Sequence, residues 1–182
     1  MTITCDQYPY TATSTSMTAL LPHWAHDGGV PALIQRLKER LSGSGMRLEQ
    51  RWRTGEALPA FWSPAPTDTT QNEGKTVEQL SQEFQMDPVD TVIQVLEQCD
   101  SSVACIYFCI NEADMLRIML DMNICVGSDG YNFSYDRAIT CTDPHPRSFG
   151  TFPRFLRLVR EHELMPLEDA VYKITGLPAQ IL

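Results

Sequence analysis

The chain reads Gly-Ser-Asp-Gly at residues 127–130, His-Pro-Arg at 145–147 and Phe-Gly-Thr-Phe-Pro-Arg at 149–154. An apolar run at 124–126 precedes the first motif and has the composition of a buried strand. Glycines on both sides of Asp129 would leave its carboxylate accessible to a ligand at the strand's carboxyl end. Catalytic groups of α/β barrels stand at that end of the strands. Ser-Asp-Gly also favours turns on its own, so a turn aspartate is the alternative.

Working outward, the pattern predicts strands at about 2–10, 103–110 and 124–128 and a helix at about 112–121, with Asn111 as its N-cap. Strands separated by helices favour parallel pairing, so we expect an α/β fold. Three parallel strands cannot close a barrel, which typically needs about 250 residues. We therefore expect part of a barrel, with open sheet edges that require self-association or a missing amino-terminal half.

Further helices are expected from their start and stop signals. Thr76 and Gln79 form a capping box, and Asp87 precedes a second helix with Pro88 at its first position. Thr151 is expected to cap a helix with Phe152, Phe155, Leu156 and Val159 on one side. A last helix after Pro166 is expected to turn Leu167, Ala170, Val171 and Ile174 inward and to stop at Gly176 and Pro178. The stretch at about 11–75, which contains one helical pattern and a proline-rich run, is interpreted as an insertion or lid.

Composition narrows the class of protein. The 182 residues are 43% apolar, which is typical of a globular protein, and the formal charge of −9 argues against nucleic acid or an anionic membrane as a partner. No apolar run approaches the ~20 residues of a membrane span, and the polar first residues do not resemble a signal peptide. A cytoplasmic location is expected.

The six cysteines indicate buried, reduced thiols rather than a metal site. They stand at positions 5, 99, 105, 109, 125 and 141, without a Cys-x-x-Cys pair. Cys105, Tyr107 and Cys109 alternate with Ala104 and Phe108, as in a strand.

A second block reads Asp-Gln-Tyr-Pro-Tyr-Thr-Ala at 6–12, with Ser-Thr at 14–15 and Leu-Leu-Pro at 20–22. Together with the block at 127–154, about 120 residues later, it resembles the N-acyl-D-amino-acid deacylases, the D-aminoacylase branch of the zinc amidohydrolases. The resemblance extends over nearly the whole chain and is weakest at 30–75. It implies the carboxyl-terminal half of an amidohydrolase-like TIM barrel, and a hydrolase that acts on small-molecule N-acyl amino acids.

The resemblance also implies roles for three residues. Asp129 matches the aspartate at the end of the last barrel strand, which handles protons during hydrolysis of the N-acyl amide. Tyr8 and Ser14 match substrate-pocket positions, although packing in the core is the alternative for one of the rings of Tyr8 and Tyr10.

Zinc is implied for the complete family enzyme, where an early His-x-His, a bridging cysteine and two later histidines bind it. The histidines of this chain stand at 23, 26, 145 and 162 and form no His-x-His. We expect no zinc on this chain alone and no activity from it alone, since catalytic zinc needs three or more protein ligands. At the end of the last expected strand, Asp129 is a possible metal ligand.

Two further groups of polar residues have a structural interpretation that we favour. Arg147 could hold a substrate carboxylate, but bracing the loop against Asp136 or Asp143 accounts for it equally well. His23 and His26 could bind a metal through imidazoles at i and i+3. A surface or lid loop is the better reading of these two histidines, because no third ligand lies close by in sequence.

Overall fold

The computed structural model describes residues 3–41, 60–62, 72, 74–136 and 144–182. The chain divides into two compact units, one formed by Met1–Ala12 with Ile110–Leu182 and the other by Thr13–Cys109. The expected insertion at about 11–75 begins in the first unit; its described residues from Thr13 onward lie in the second unit, which continues to Cys109.

The strands in chain order are β1 Cys5–Gln7, β2 Thr13–Ser16, β3 Ala60–Trp62, β4 Ala104–Tyr107 and β5 Ile124–Val126. The helices are α1 Gly29–Leu41, α2 Val77–Phe84, α3 Pro88–Gln98, α4 Glu112–Met119, α5 Arg147–Glu161, α6 Leu167–Ile174 and α7 Gly176–Ile181. Short 3₁₀ turns occupy Met17–Leu20 and His23–His26. Among the described residues, no helix is long and apolar enough to span a bilayer.

The first unit is an α/β layer. β1 and β5 pair in parallel, with Cys5 opposite Ile124 and Gln7 opposite Val126. The core beside them is formed by residues of α4, α5 and α6 together with β5. The buried members of that core are Met115, Met119, Val126, Phe155, Leu158, Val159 and Ala170.

The second unit is built around an antiparallel sheet. β4 lies between β2 and β3 and pairs antiparallel with both. Its own core includes Leu33 and Leu37 of α1, Leu80 of α2 and Leu96 of α3. The Tyr107 hydroxyl donates to the Ser16 carbonyl at 2.9 Å, which joins β4 to the residue that caps the first 3₁₀ turn.

Several sequence predictions are confirmed. Asn111 caps α4 through its side-chain oxygen, which accepts from the N–H groups of Ala113 and Asp114. Thr76 and Gln79 form the expected capping box of α2, and Asp87 caps α3. The parallel pairing of β1 with β5 is also present.

The expectation of three parallel strands is wrong for β4. The rule that strands flanking a helix pair in parallel assumes that both strands join one sheet. Here the intervening α4 separates β4 from β5 in sequence, but the two strands belong to different sheets. Cys105 and Tyr107 are buried as the alternation predicts, while Cys109 is exposed and lies beyond the end of the strand.

Two helix predictions also need correction. α5 begins at Arg147, so Thr151 is not its cap: the Thr151 hydroxyl donates to the Arg147 carbonyl one turn back, inside the helix. In α6, Leu167 is 64% exposed and Val171 is 42% exposed. The buried face contains Ala170 and Lys173, because the Lys173 ammonium donates to the Asp121 carbonyl and its stem fills that face. α6 ends at Ile174, just before Gly176 as expected, but a separate helix, α7, begins at Gly176 and contains Pro178.

Candidate functional site

A cleft opens where the two parallel strands of the first unit end. Because β1 and β5 run in the same direction, the residues that follow them lie at one edge of the sheet. The cleft has a volume of about 480 Å³ and is lined by Asp6, Gln7, Tyr8, Ile110, Ile118, Gly127 and Asp129. Asp129 therefore lies at the carboxyl ends of the strands, which is the position of catalytic groups in α/β barrels.

Asp129 adopts a left-handed backbone conformation, with φ at 45°. Aspartate tolerates this region better than most residues, and the bend turns the chain away from the strand. The Asp129 side chain is 67% exposed, and one of its carboxylate oxygens lies 2.9 Å from Nη2 of Arg147. Most of the carboxylate surface thus remains open to water or a ligand.

Arg147 is the buried charge behind Asp129. Its side chain is only 5% exposed, and its Nε donates to the Asp129 carbonyl oxygen at 2.9 Å. The guanidinium also lies over the Tyr8 ring, 5.2 Å from the ring centroid. The bracing role is therefore observed, on a partner that the sequence pattern did not suggest. Of the two expected partners, Asp143 lies outside the described residues.

His145 fixes the backbone of this arginine. Its Nδ1 accepts a hydrogen bond from the Arg147 N–H at 3.1 Å, and the ring also bonds to the backbone of Ala12. Burial lowers the pKa of His145 below its ordinary value, and the nearby Arg147 charge lowers it further, against smaller opposing effects from Ala12 and Asp129. The neutral imidazole is the form that this geometry requires.

Tyr8 and Tyr10 are both half-buried, so neither ring is wholly committed to the core. The Tyr10 ring meets the His145 ring edge-on at 5.2 Å, and the Arg154 guanidinium lies 4.9 Å from its centroid. Burial raises the pKa of Tyr10, and the neighbouring arginines 154 and 157 oppose that rise. Arg154 also donates to the Pro9 carbonyl at 2.5 Å. The sequence pattern gave Arg154 no role, although it closes the Thr-Phe-Pro-Arg motif.

Backbone packing requires a glycine at position 130, and the Asp6 side chain disfavours a larger residue at position 127. A Cβ at Gly130 would lie 2.9 Å from the Ser148 Cα, and a Cβ at Gly127 would lie 2.4 Å from Oδ2 of Asp6. The first clash is with backbone, which cannot move aside easily. Gly130 thus has a packing role in addition to the ligand access that is expected of these glycines.

The other residues singled out by sequence lie in the second unit. Ser14 belongs to β2, opposite Ile106 of β4, and is not among the residues that line the cleft. His23 and His26 begin and end a single 3₁₀ turn. Within the described ranges, no group of three or more histidine, cysteine, aspartate or glutamate side chains is placed to hold a metal ion. The described residues therefore do not fit as a complete zinc site, and the one carboxylate considered for it is bound to Arg147.

Comparison with known proteins points to one family of enzymes. No family model matches the chain. The chain is 45% identical over 75 residues to an N-acyl-D-aspartate deacylase and to a D-aminoacylase, both from Alcaligenes xylosoxydans xylosoxydans. An N-acyl-D-glutamate deacylase from the same organism is 44% identical over 77 residues. These matches cover 41 to 42% of this chain and 14% of each relative.

Solved structures extend the likeness to almost the whole chain. The N-acyl-D-glutamate deacylase of Bordetella bronchiseptica, determined with zinc and a phosphonate inhibitor, matches 97% of this chain at 25% identity, with a TM-score of 0.61. A D-aminoacylase structure described as defining a novel subset of amidohydrolases matches 97% at 27% identity, also with a TM-score of 0.61. Each match covers only 28% of the neighbour's chain. This chain is thus similar to a little over a quarter of these hydrolases.

Proposed function

We propose that this chain is the carboxyl-terminal part of the catalytic barrel of a hydrolase that cleaves the amide of N-acyl-D-amino acids, giving a D-amino acid and a carboxylate. The position of Asp129 carries the proposal. It follows β5 at the carboxyl edge of the parallel pair, lines a cleft with Tyr8 and keeps an exposed carboxylate. The relatives named for D-aspartate, D-glutamate and D-amino acids supply the substrate class.

In this proposal Asp129 transfers protons. Its carboxylate accepts a proton from the attacking water and returns it to the amide nitrogen as the carbon–nitrogen bond breaks. Arg147 holds the carboxylate on one side, which leaves its exposed side for the reacting atoms. Tyr8 lines the same cleft as a substrate contact, and Ser14 is assigned to substrate binding by the family resemblance alone.

The remaining catalytic groups must come from elsewhere in the complete enzyme. Zinc would supply activation of the water there, and the described residues of this chain do not provide its ligand set. We therefore propose that the chain acts only together with an amino-terminal barrel half.

A second proposal is a homologue without turnover that self-associates or complements such a half. In the described part of the chain β1 pairs only with β5, and parallel sheets of two strands are poorly protected from water. Light scattering separates this state from a single folded chain. A constant mass of 20.6 kDa at all concentrations would contradict self-association.

A chimera tests the enzymatic proposal directly. This chain would replace the matching segment of the Bordetella bronchiseptica deacylase, and hydrolysis of N-acetyl-D-glutamate, N-acetyl-D-aspartate and N-acetyl-D-methionine would be measured with zinc. We expect release of the free D-amino acid by the chimera, none from the L-enantiomers and none from this chain alone. A correctly folded chimera that binds zinc and hydrolyses none of the substrates would refute the proposal. Metal-dependent turnover by the isolated chain would refute its dependence on a second half.

A further inference from the structure

The backbone just before α5 is held by an imidazole. His145 precedes Arg147 by two residues, and its Nδ1 accepts the Arg147 N–H at 3.1 Å. Since a backbone N–H can only donate, Nδ1 must carry no proton, and the ring proton resides on Nε2. The arrangement has the geometry of an Asx turn, in which a side-chain acceptor bonds the N–H two residues later.

This turn determines where the guanidinium of Arg147 lies. Arg147 is the first residue of α5, so its backbone direction is fixed by the residues immediately before the helix. From there its side chain makes two contacts with Asp129, one to the backbone oxygen and one to the carboxylate, each at 2.9 Å. A displaced backbone at Arg147 would move both contacts together.

His145 and Arg147 are both buried. His145 is 8% exposed and Arg147 is 5% exposed, so neither can exchange its protein partners for water without local opening. The imidazole is held on further sides by the Tyr10 ring and the Ala12 backbone. The ring thus has little freedom to leave Arg147.

We propose that His145 is a positioning residue, which acts through the Arg147 backbone to set the Arg147 guanidinium against Asp129 in the geometry that proton transfer requires. This inference rests on the proposed function of Asp129. It assigns to His145 a role in the rate of the reaction, in addition to its packing in the fold.

Two substitutions distinguish the role of Nδ1 from simple space filling. In His145→Asn the amide oxygen takes the place of Nδ1 and can still accept the Arg147 N–H. In His145→Gln the amide group reaches the place of Nε2, so the contact with Ala12 can persist while the Arg147 N–H loses its acceptor. His162→Asn, at an exposed histidine after the end of α5, is the matched control.

The first measurement needs no enzymatic activity. Nuclear magnetic resonance of the ¹⁵N-labelled full chain would follow the Arg147 Nε–H, whose exchange with water is slowed by its hydrogen bond to Asp129. We expect a slowly exchanging signal in the parent, His145→Asn and His162→Asn, and its loss in His145→Gln. Retention in Gln, or loss in Asn with circular dichroism unchanged, would overturn the inference.

The second measurement uses the deacylase chimera. His145→Gln should lower kcat by up to about 10²-fold, the scale of a misplacement near 1 Å, with a smaller change in KM. His145→Asn, which keeps an acceptor for the Arg147 N–H, should have a kcat close to the parent value. Equal kcat for Gln and parent would refute the positioning role. If the parent chimera itself shows no turnover, the proposed function fails, while the resonance measurement still decides whether His145 positions Arg147.

Discussion

The two units of this chain differ in the kind of polar side chain that they bury. In the described part of Thr13–Cys109, the buried polar residues are Ser81, Thr91 and Ser101, all of them hydroxyls. The other unit buries His145, Arg147 and Lys173 in addition to Thr151. Both units have a well-packed apolar core of their own.

The buried polar groups of the two units differ in the partners that satisfy them. Ser81 and Thr91 donate to carbonyls one turn back, and the Ser81 hydroxyl also lies 3.1 Å from the Thr91 hydroxyl, so both groups are satisfied within two adjacent helices. Arg147 instead binds residue 129, eighteen positions earlier, at the mouth of the cleft. A buried charge costs free energy, and its ion pair with an exposed carboxylate is the feature of the first unit on which the proposed function rests.

The apolar cores should behave alike, and the largest expected effect tests this for the first unit. Phe155→Ala removes a fully buried ring from α5 and should lower the free energy of unfolding by about 3–5 kcal/mol. Phe152→Ala, on the same helix but 43% exposed, is the control and should cost far less. The free energy of unfolding would be measured by urea titration, and hydrogen exchange of the α5 amides would report on this unit in particular. Similar costs for the two substitutions would contradict the assigned core.

Asp129→Asn in the deacylase chimera should lower kcat by about 10²-fold or more, equivalent to about 2.7 kcal/mol in activation free energy, because the amide cannot accept the proton. Zinc content should be unchanged. Asp100→Asn in the second unit is a matched control, since Asp100 also has a positive φ, at 47°. A near-normal kcat for Asp129→Asn would make Asp129 a turn residue that only neutralises Arg147.

A smaller effect concerns the second unit. Thr76→Ala removes the hydroxyl that accepts the Gln79 N–H at 3.1 Å and should destabilise that unit by about 1 kcal/mol. Thr76→Ser keeps the hydroxyl and should cost much less. Thermal unfolding of the two variants would show the difference, and equal loss in both would mean that the methyl group, rather than the cap, matters.

The smallest expected effect is a dependence of stability on pH. The folded pKa of His145 lies below its ordinary value of 6.5, mainly because the ring is buried. The unfolded chain then binds more protons than the folded chain in the window below 6.5, so stability should fall as the pH falls through that window. Chemical unfolding at a series of pH values should show a shallower slope for His145→Asn than for His162→Asn. Identical slopes would show that His145 is not protected from protonation.

Local signals in the sequence predicted most of the helices. Asn111, Thr76 and Asp87 each cap the helix that the pattern assigned to them, since capping is decided within three residues. The start of α5 was missed because His145, which is not a usual capping residue, accepts the first N–H. The rotation of α6 was missed because a buried Lys173 replaces an apolar residue on the inner face.

Non-local pairing and the site were harder to predict. The sequence around β4 does not indicate that β2 and β3 are its neighbours, because sheet pairing depends on packing between segments that are far apart in the chain. The family resemblance drew attention to Asp129 and Tyr8, which line one cleft. The bond between Asp129 and Arg147 spans eighteen positions and a loop, a distance at which residue pattern carries no information on pairing.

Gly150 and Tyr10 illustrate how the site would constrain the drift of its own sequence. A Cβ on Gly150 would lie 2.7 Å from the Tyr10 hydroxyl oxygen, so a side chain at position 150 would require the Tyr10 side chain or the helix to shift. Gly150→Ala alone should be disfavoured, whereas in a Tyr10→Phe background the obstructing atom is gone. The two positions should thus be epistatic, and a lineage that loses the hydroxyl at position 10 gains a neutral path to larger residues at position 150. Reversion at position 10 would then be disfavoured until position 150 returned to glycine.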